Sequence, residues 1–442
     1  MNPTLQALLN FLQTWWVELV SAATIVAIVP LIAAYRVLVV RKVMRIDPTL
    51  VAVNGVSQRV VDAIRLLFKE DRVPQGADTF IFWFAPTIAM AAAFIPMGAL
   101  YFGPALRVGR DMNIGILFIL GVSSLGFLGI VLRDWVSNSH DSVGRAMRNT
   151  AQFVSYEVAG GLAIVSAVLL AGTLRIHAIV DAQAEHHVWF LFFAPIGFLT
   201  YFVASLVATP RPGDLSETGS ELGASHMTEC SGFRWSLYFL GEYANMIVVA
   251  SVATTLFLGG WLRPFPNVHW LNWLDFLPAL PAAAVGAYCV YRARKQSVRI
   301  QARFHWAVGL GCFTITFILL MPWLFVPLRF LVPDLNGAFW FFLKVSIYVY
   351  IFKWLRLTSP RFRYDQLMHL SWYILIPLAI VNIFSVAVAM LFESEFGWNR
   401  WLAFFLMTIF TFAAAVFLVH MNDKREVAPP SVATGTSDSY AR

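Results

Sequence analysis

Apolar stretches of about twenty residues recur along most of the chain, and no other feature constrains its fold so strongly. They are continuous runs rather than alternating patterns, and short polar or basic segments separate them. A bilayer offers no water to satisfy irregular backbone, so such runs point to spanning helices and not to a barrel. Composition agrees: 59% of the 442 residues are hydrophobic and only 13% are charged, with a mean hydropathy of +0.68. The expected fold is an all-α, polytopic transmembrane helical bundle.

Eleven spans are read from the runs, at 15–40, 79–102, 112–133, 157–175, 187–208, 235–259, 274–291, 304–327, 337–357, 370–392 and 400–420. With the N-terminus outside and the C-terminus cytoplasmic, the cytoplasmic loops and tail collect about 25 of the 32 Lys and Arg, as the positive-inside rule requires. The first run is long and has no basic segment ahead of it, so it is expected to stay as a span rather than be cleaved. Residues 1–426 then form one transmembrane domain in a multi-pass protein of the cell inner (plasma) membrane. The tail from Val427 to Arg442, rich in Ala, Pro, Ser and Thr, is expected to be disordered.

The net charge of +7 reports this topology rather than a nucleic-acid surface, because the basic residues sit in short loops between apolar runs. Cys230, Cys289 and Cys312 are far apart and make no cluster-binding set or disulfide framework. His177, His186 and His187 fall in one external loop without the spacing of metal ligands on a helical face. Neither a nucleophile elbow nor a phosphate-binding loop is present. No bound metal, flavin or iron–sulfur cluster is therefore expected in this chain, and any electron transfer needs a partner.

Two segments between spans carry patterned charge. Val56 to Glu70 places Val56, Val60, Ile64, Leu67 and Phe68 on one helical face and Arg59, Asp62, Arg65 and Lys69 largely on the other, the pattern of an interfacial helix. Pro210 to Glu229 is the one long acidic loop, with Asp214, Glu217, Glu221 and Glu229 against Arg211. It is either a solvated loop or a funnel whose clustered carboxylates hold and pass protons.

Ionisable groups inside spans are costly, which makes Glu18, Glu157, Glu242 and Lys344 candidates. Glu18, beside Trp15 and Trp16 near the outer end of its run, is read as snorkelling. Glu242 is placed about 10 Å into its helix, near Tyr238, Tyr243 and Asn245, as a buried proton site or a polar interhelical contact. Glu157 is placed at a cytoplasmic helix start, where the helix dipole favours an anion. Lys344 is read as a counter-charge to a buried acid.

Four blocks in order resemble the H subunit of NADH-quinone oxidoreductase, respiratory complex I. They are VVDAIRLLFKED (60–71), SNSHDSVGRAMRNTAQFVSYEV (137–158), the stretch from Ser220 to Trp261 containing SLYFLGEYANMIVV, and FWFFLKVSIYVYIFKWLRLTSPRFRYDQLM (339–368). The resemblance implies a subunit that joins membrane and peripheral arms, forms much of the quinone tunnel, and starts an acidic proton path. Quinone would be a substrate. Partners would be the other membrane-arm and peripheral-arm subunits, including a quinone-site and an iron–sulfur subunit, together with the lipid bilayer. By matching motif, Glu157, Glu242, Glu217, Glu221 and Glu229 would be the proton-path acids. Asp62, Arg65, Arg41, Arg356, Arg361 and Arg363 would surround the quinone entrance.

The sequence departs from the family pattern at Val40, which stands where the family has an acid. A Gly-Pro-Asn-Arg segment is missing after it, and Gly219, His226 and Met227 replace expected residues in the acidic loop. Residues about 262–333 insert two further apolar runs around the basic YRARKQSVR segment. Two alternatives stand beside the main reading: the coupling subunit of a related membrane-bound hydrogenase or ferredoxin-type complex, and an independent transporter or membrane anchor.

Overall fold

The computed structural model describes residues 77–104, 111–136, 140–208, 232–264, 279–295, 332–358 and 364–427, with isolated positions at 69, 73, 306 and 310. These residues are almost entirely helical. In chain order the elements are α1 (Thr79–Phe94, followed by a 3-10 turn, Ile95–Ala99), α2 (Gly115–Val136), α3 (His140–Ala171), α4 (Ile176–Glu185), α5 (Phe190–Phe193) and α6 (Pro195–Ala208). They continue with α7 (Gly232–Phe257), α8 (Ala279–Lys295), α9 (Val332–Thr358), α10 (Tyr364–His369), a π-helical segment (Leu370–Leu375), α11 (Ile376–Phe396) and α12 (Arg400–Val427).

Among the described residues, seven helical stretches are long and apolar enough to cross a membrane: Thr79–Ala99, Gly115–Leu132, Ala146–Ala171, Leu240–Phe257, Asn336–Arg356, Tyr364–Phe396 and Arg400–Met421. The expected runs at 15–40 and most of 304–327 lie outside the described residues. Part of the inserted segment is the helix α8.

Local chemistry explains where several helices begin and end. The Asp78 carboxylate accepts from the Phe80 and Ile81 amides, at 2.9 and 3.5 Å, and caps α1. The run expected as one span at 187–208 is broken at Ala194–Pro195, because proline lacks an amide hydrogen and pushes the preceding residue out of helical backbone; Ala194 sits at φ −133°. The run at 370–392 is part of a longer helix that starts at Tyr364 and widens before Pro377. There the Ile376 amide bonds to the Ser371 carbonyl, five residues back, as a π turn requires. α12 reaches Val427, so the tail expected from Val427 yields its first residue to helix, and 428–442 lie outside the described residues.

Consecutive long helices pack beside one another: α1 on α2, α2 on α3, α3 on α6 and α11 on α12. α7 is enclosed, touching α1 and α9 along its length, and it carries much of the core through Ala244, Val248, Ala253, Leu256 and Phe257. In a lipid environment such close approach comes from small residues rather than from the hydrophobic effect. Gly129 on α2 meets α1 so tightly that a Cβ there would lie 2.7 Å from the Ala89 amide nitrogen.

Candidate functional site

Among the described residues, buried polar side chains sit on α3, α4, α6, α7, α9, the π-helical segment, α11 and α12. Glu157 lies about 26 Å along α3 from His140, at 1.5 Å per residue. The sequence reading placed it at a helix start. The helix begins well before the apolar run, in the polar HDSVGRAMRN stretch, so the N-terminal dipole does not act on this carboxylate. It is half-buried, and the Ser124 hydroxyl of α2 is its polar neighbour. The Ser124 hydroxyl also lies 2.9 Å from the Gly121 carbonyl oxygen.

Adjacent residues on α3 face a different neighbour, as the 100° step of a helix dictates. The Tyr156 hydroxyl donates to the Leu367 carbonyl at 2.6 Å. The Ser155 hydroxyl accepts from the Trp372 indole at 3.0 Å, and the Ser371 hydroxyl donates to the Ser155 carbonyl at 2.9 Å. The π-helical segment thus docks on the turn of α3 that presents Glu157.

Glu242 is half-buried on α7, about 15 Å from the Gly232 end of that helix. That is further along the helix than the 10 Å expected, because α7 starts earlier than its apolar run; the apolar stretch itself begins at Leu240, two residues before Glu242. Its neighbour Tyr243 is buried and has the Lys353 ammonium of α9 4.9 Å from its ring centroid. Arg356, one turn further along α9, is only 6% exposed and packs over the Phe352 ring. The Ser205 and Tyr348 hydroxyls meet at 2.9 Å between α6 and α9, and the Tyr201 hydroxyl donates to the Val249 carbonyl of α7 at 3.1 Å. Hydroxyls therefore tie α6 to both α7 and α9, while the Gln152 amide of α3 donates to the Val207 carbonyl of α6 at 3.1 Å.

The structure brings Glu242 and Arg356 onto packed helices and sets Glu157 beside the Ser124 hydroxyl. Arg41, Asp62, Arg65, Glu217, Glu221, Glu229, Arg361 and Arg363 lie outside the described residues, as does Glu18. Lys344 differs from its expected role. Its ammonium donates to the carbonyls of Leu258, Gly260 and Leu262, at 2.6, 2.9 and 2.5 Å, and lies over the Trp189 ring. It meets the carbonyl end of α7 instead of a buried acid, which is where the helix dipole favours a cation.

Sequence reasoning missed Ser124, Tyr156, Ser205 and Tyr348. Their signal was a hydroxyl inside an apolar run, as in the paired Ser123-Ser124, which is common in membrane helices and does not name its partner. It missed the buried Gln183 too, whose amide donates to the Thr255 carbonyl at 2.9 Å and accepts from the Phe190 amide at 3.2 Å.

Comparison with known proteins sets this arrangement in a family. The family model described as NADH dehydrogenase matches residues 16–387. The chain belongs to the H-subunit family of NADH-quinone oxidoreductase. Its relatives include NADH-quinone oxidoreductase H subunit 2 of Solibacter usitatus (strain Ellin6076), 42% identical over 377 residues, which cover 82% of this chain and 94% of that protein. The H subunit 1 of Koribacter versatilis (strain Ellin345) is also 42% identical, over 78% of this chain and 84% of its own. The H subunit of Rickettsia canadensis (strain McKiel) is 35% identical, over 85% and 95%. As a member of this family, the chain is a multi-pass membrane component of a multi-subunit oxidoreductase, and other subunits of that complex are its partners.

Proposed function

We propose that this subunit forms the quinone tunnel and the start of the acidic proton path in a proton-translocating NADH-quinone oxidoreductase, while its partners hold the redox centres. The observation that carries the reading is the pair of half-buried carboxyls, Glu157 and Glu242, on helices α3 and α7 of one packed bundle, with Lys353 and Arg356 on α9, which packs against α7. Carboxyls at membrane depth are retained where they do work. Quinone reduction at the cytoplasmic mouth alters local charge. Carboxyls along Glu229, Glu221, Glu217, Glu157 and Glu242 then change proton occupancy in turn.

The relatives are all named as the H subunit of NADH-quinone oxidoreductase, which favours this reading over the hydrogenase-type and transporter alternatives. The test is NADH-driven quinone reduction with proton pumping in native membranes, comparing wild type, Glu242→Gln and deletion of the whole chain. Deletion is expected to abolish both activities, and Glu242→Gln to weaken pumping. NADH-driven quinone reduction that survives deletion unchanged sinks the proposal.

A further inference from the structure

The Arg400 guanidinium holds two segments together at the end of the bundle where α4 finishes and the α11–α12 turn lies. Its Nε and Nη2 bind the two oxygens of Glu393, at 2.8 and 2.7 Å, closing the α11–α12 hairpin. Its Nη1 meets Nδ1 of His186, the residue that ends α4. A guanidinium only donates. Nδ1 must therefore accept, so the imidazole in this contact is neutral, with its proton on Nε2. Around it the His186 ring packs toward Phe190 and Phe193, and Phe193 in turn contacts Trp401 and Phe404 of α12.

We propose that His186 is a proton-binding site that latches α12 to the α4–α5 segment: protonation turns its acceptor nitrogen into a donor, ejects Arg400 and loosens the α11–α12 turn. The charged groups that face His186 are Arg400 from α12, Glu393 from α11, and Glu185 and His187 from its own segment. Burial and the Arg400 charge hold the imidazole below the ordinary histidine range, against the smaller opposing pull of Glu393 and Glu185. The sign follows from linkage. The closed latch binds the proton more weakly than the open one, so its stability is complete above the ordinary histidine value of 6.5 and declines as pH falls below it.

Glu393 alone does not hold α12 to the α4–α5 segment, because it sits on the same hairpin as Arg400. In the orientation proposed for the chain this cluster lies on the outer face, where translocated protons emerge. Rising acidity there would unlatch the hairpin, and this regulatory consequence rests on the functional reading above.

The test uses the assembled complex in lipid nanodiscs, where both faces meet the same pH. The reporters are amide exchange at Gly397, Trp398 and Ala403, whose amides bond to Phe392, Phe392 and Asn399. After correction for intrinsic chemistry, wild-type protection is expected to fall about tenfold between about pH 8 and about pH 5. His186→Gln keeps an uncharged acceptor and is expected to abolish that step, whereas Glu393→Gln is expected to retain it.

A flat wild-type profile overturns the latch without recourse to any variant. A step that survives in His186→Gln, or that vanishes only in Glu393→Gln, overturns it as well. NADH-driven quinone reduction is followed in the same preparation. A pH-responsive hairpin in a complex without that activity would refute the proposed function and leave the latch standing.

Discussion

The Lys344 ammonium nitrogen lies 2.6 Å from the Leu258 carbonyl oxygen, which makes this buried lysine of α9 a cap on the end of α7. Two further carbonyls, of Gly260 and Leu262, complete the set of acceptors for its three donors. Lys344→Met should leave these carbonyls facing an apolar side chain and cost about 3 kcal/mol. Lys344→Arg should not restore the loss, because a planar fork does not converge on three oxygens around one point. Thermal inactivation of the assembled complex measures both. A midpoint equal to wild type in Lys344→Met would show that the cap is dispensable.

Glu157 and Ser124 give a second, graded expectation. Glu157→Gln removes the carboxyl proposed to carry protons and should reduce coupled pumping strongly. Ser124→Ala removes only a neighbouring hydroxyl and should have a smaller effect, on the order of 1 kcal/mol in the coupled step. NADH-driven acidification in inverted vesicles ranks the two. If Ser124→Ala is as damaging as Glu157→Gln, the hydroxyl carries more than a supporting contact.

How much of this was legible beforehand depended on period and partner. Runs of apolar residues reported the α1, α2, α7, α9 and α12 spans because lipid demands length above all. They misplaced the start of α3, since HDSVGRAMRN is polar and only the backbone records that it is already helical. Glu157 and Glu242 stood out because charge inside an apolar run is rare. The Tyr348–Ser205 contact joins residues 143 positions apart, and neither residue is unusual in a membrane helix. Lys344 was visible as a buried cation, but its acceptors are backbone atoms of a turn at Gly259–Gly260, and backbone atoms leave no trace in side-chain identity.

The docking of the π-helical segment on α3 makes a third case. Tyr156→Phe removes the 2.6 Å bond to the Leu367 carbonyl and leaves that acceptor buried, at a cost of about 1–2 kcal/mol. Ser155→Ala removes the partner of the half-exposed Trp372 indole and should cost less, because that indole reaches alternative acceptors more readily. Thermal inactivation distinguishes them, and the reverse order would mean that the Ser155 contact anchors the segment.

The contact between Asp111 and Arg175 predicts a pH dependence with a definite sign. Their 2.5 Å ion pair joins the segment before α2 to the start of α4, and the guanidinium holds the Asp111 carboxyl below its ordinary value of 3.8. A carboxyl shifted downward contributes stability above that value and loses it as pH falls through the lowered one. Arg175→Ala should therefore destabilise the complex at neutral pH by a small, salt-sensitive amount, since the pair is substantially exposed. The difference from wild type should close in strong acid. A difference that persists there would assign the effect to packing.

The last expectation concerns a residue with no chemistry of its own. A Cβ at Gly129 would lie 2.7 Å from the Ala89 amide nitrogen and 2.8 Å from the Ala85 carbonyl oxygen, so α2 must separate from α1 to admit even a methyl group. Both opposing atoms are backbone, and no side-chain rotation relieves them. Gly129→Ala should cost about 2 kcal/mol or more. At Gly121 on the same helix a Cβ meets nothing within 4 Å, so Gly121→Ala should be close to neutral and serves as the control. α1 packs between α2, which carries the Ser124 neighbour of Glu157, and α7, which carries Glu242. Parting α1 from α2 should therefore impair pumping more than quinone reduction, although no ionisable group has been touched. Equal losses in the two activities would mean that the substitution merely unfolds the subunit. Selective loss of pumping would place the spacing of α1 and α2 within the coupling machinery.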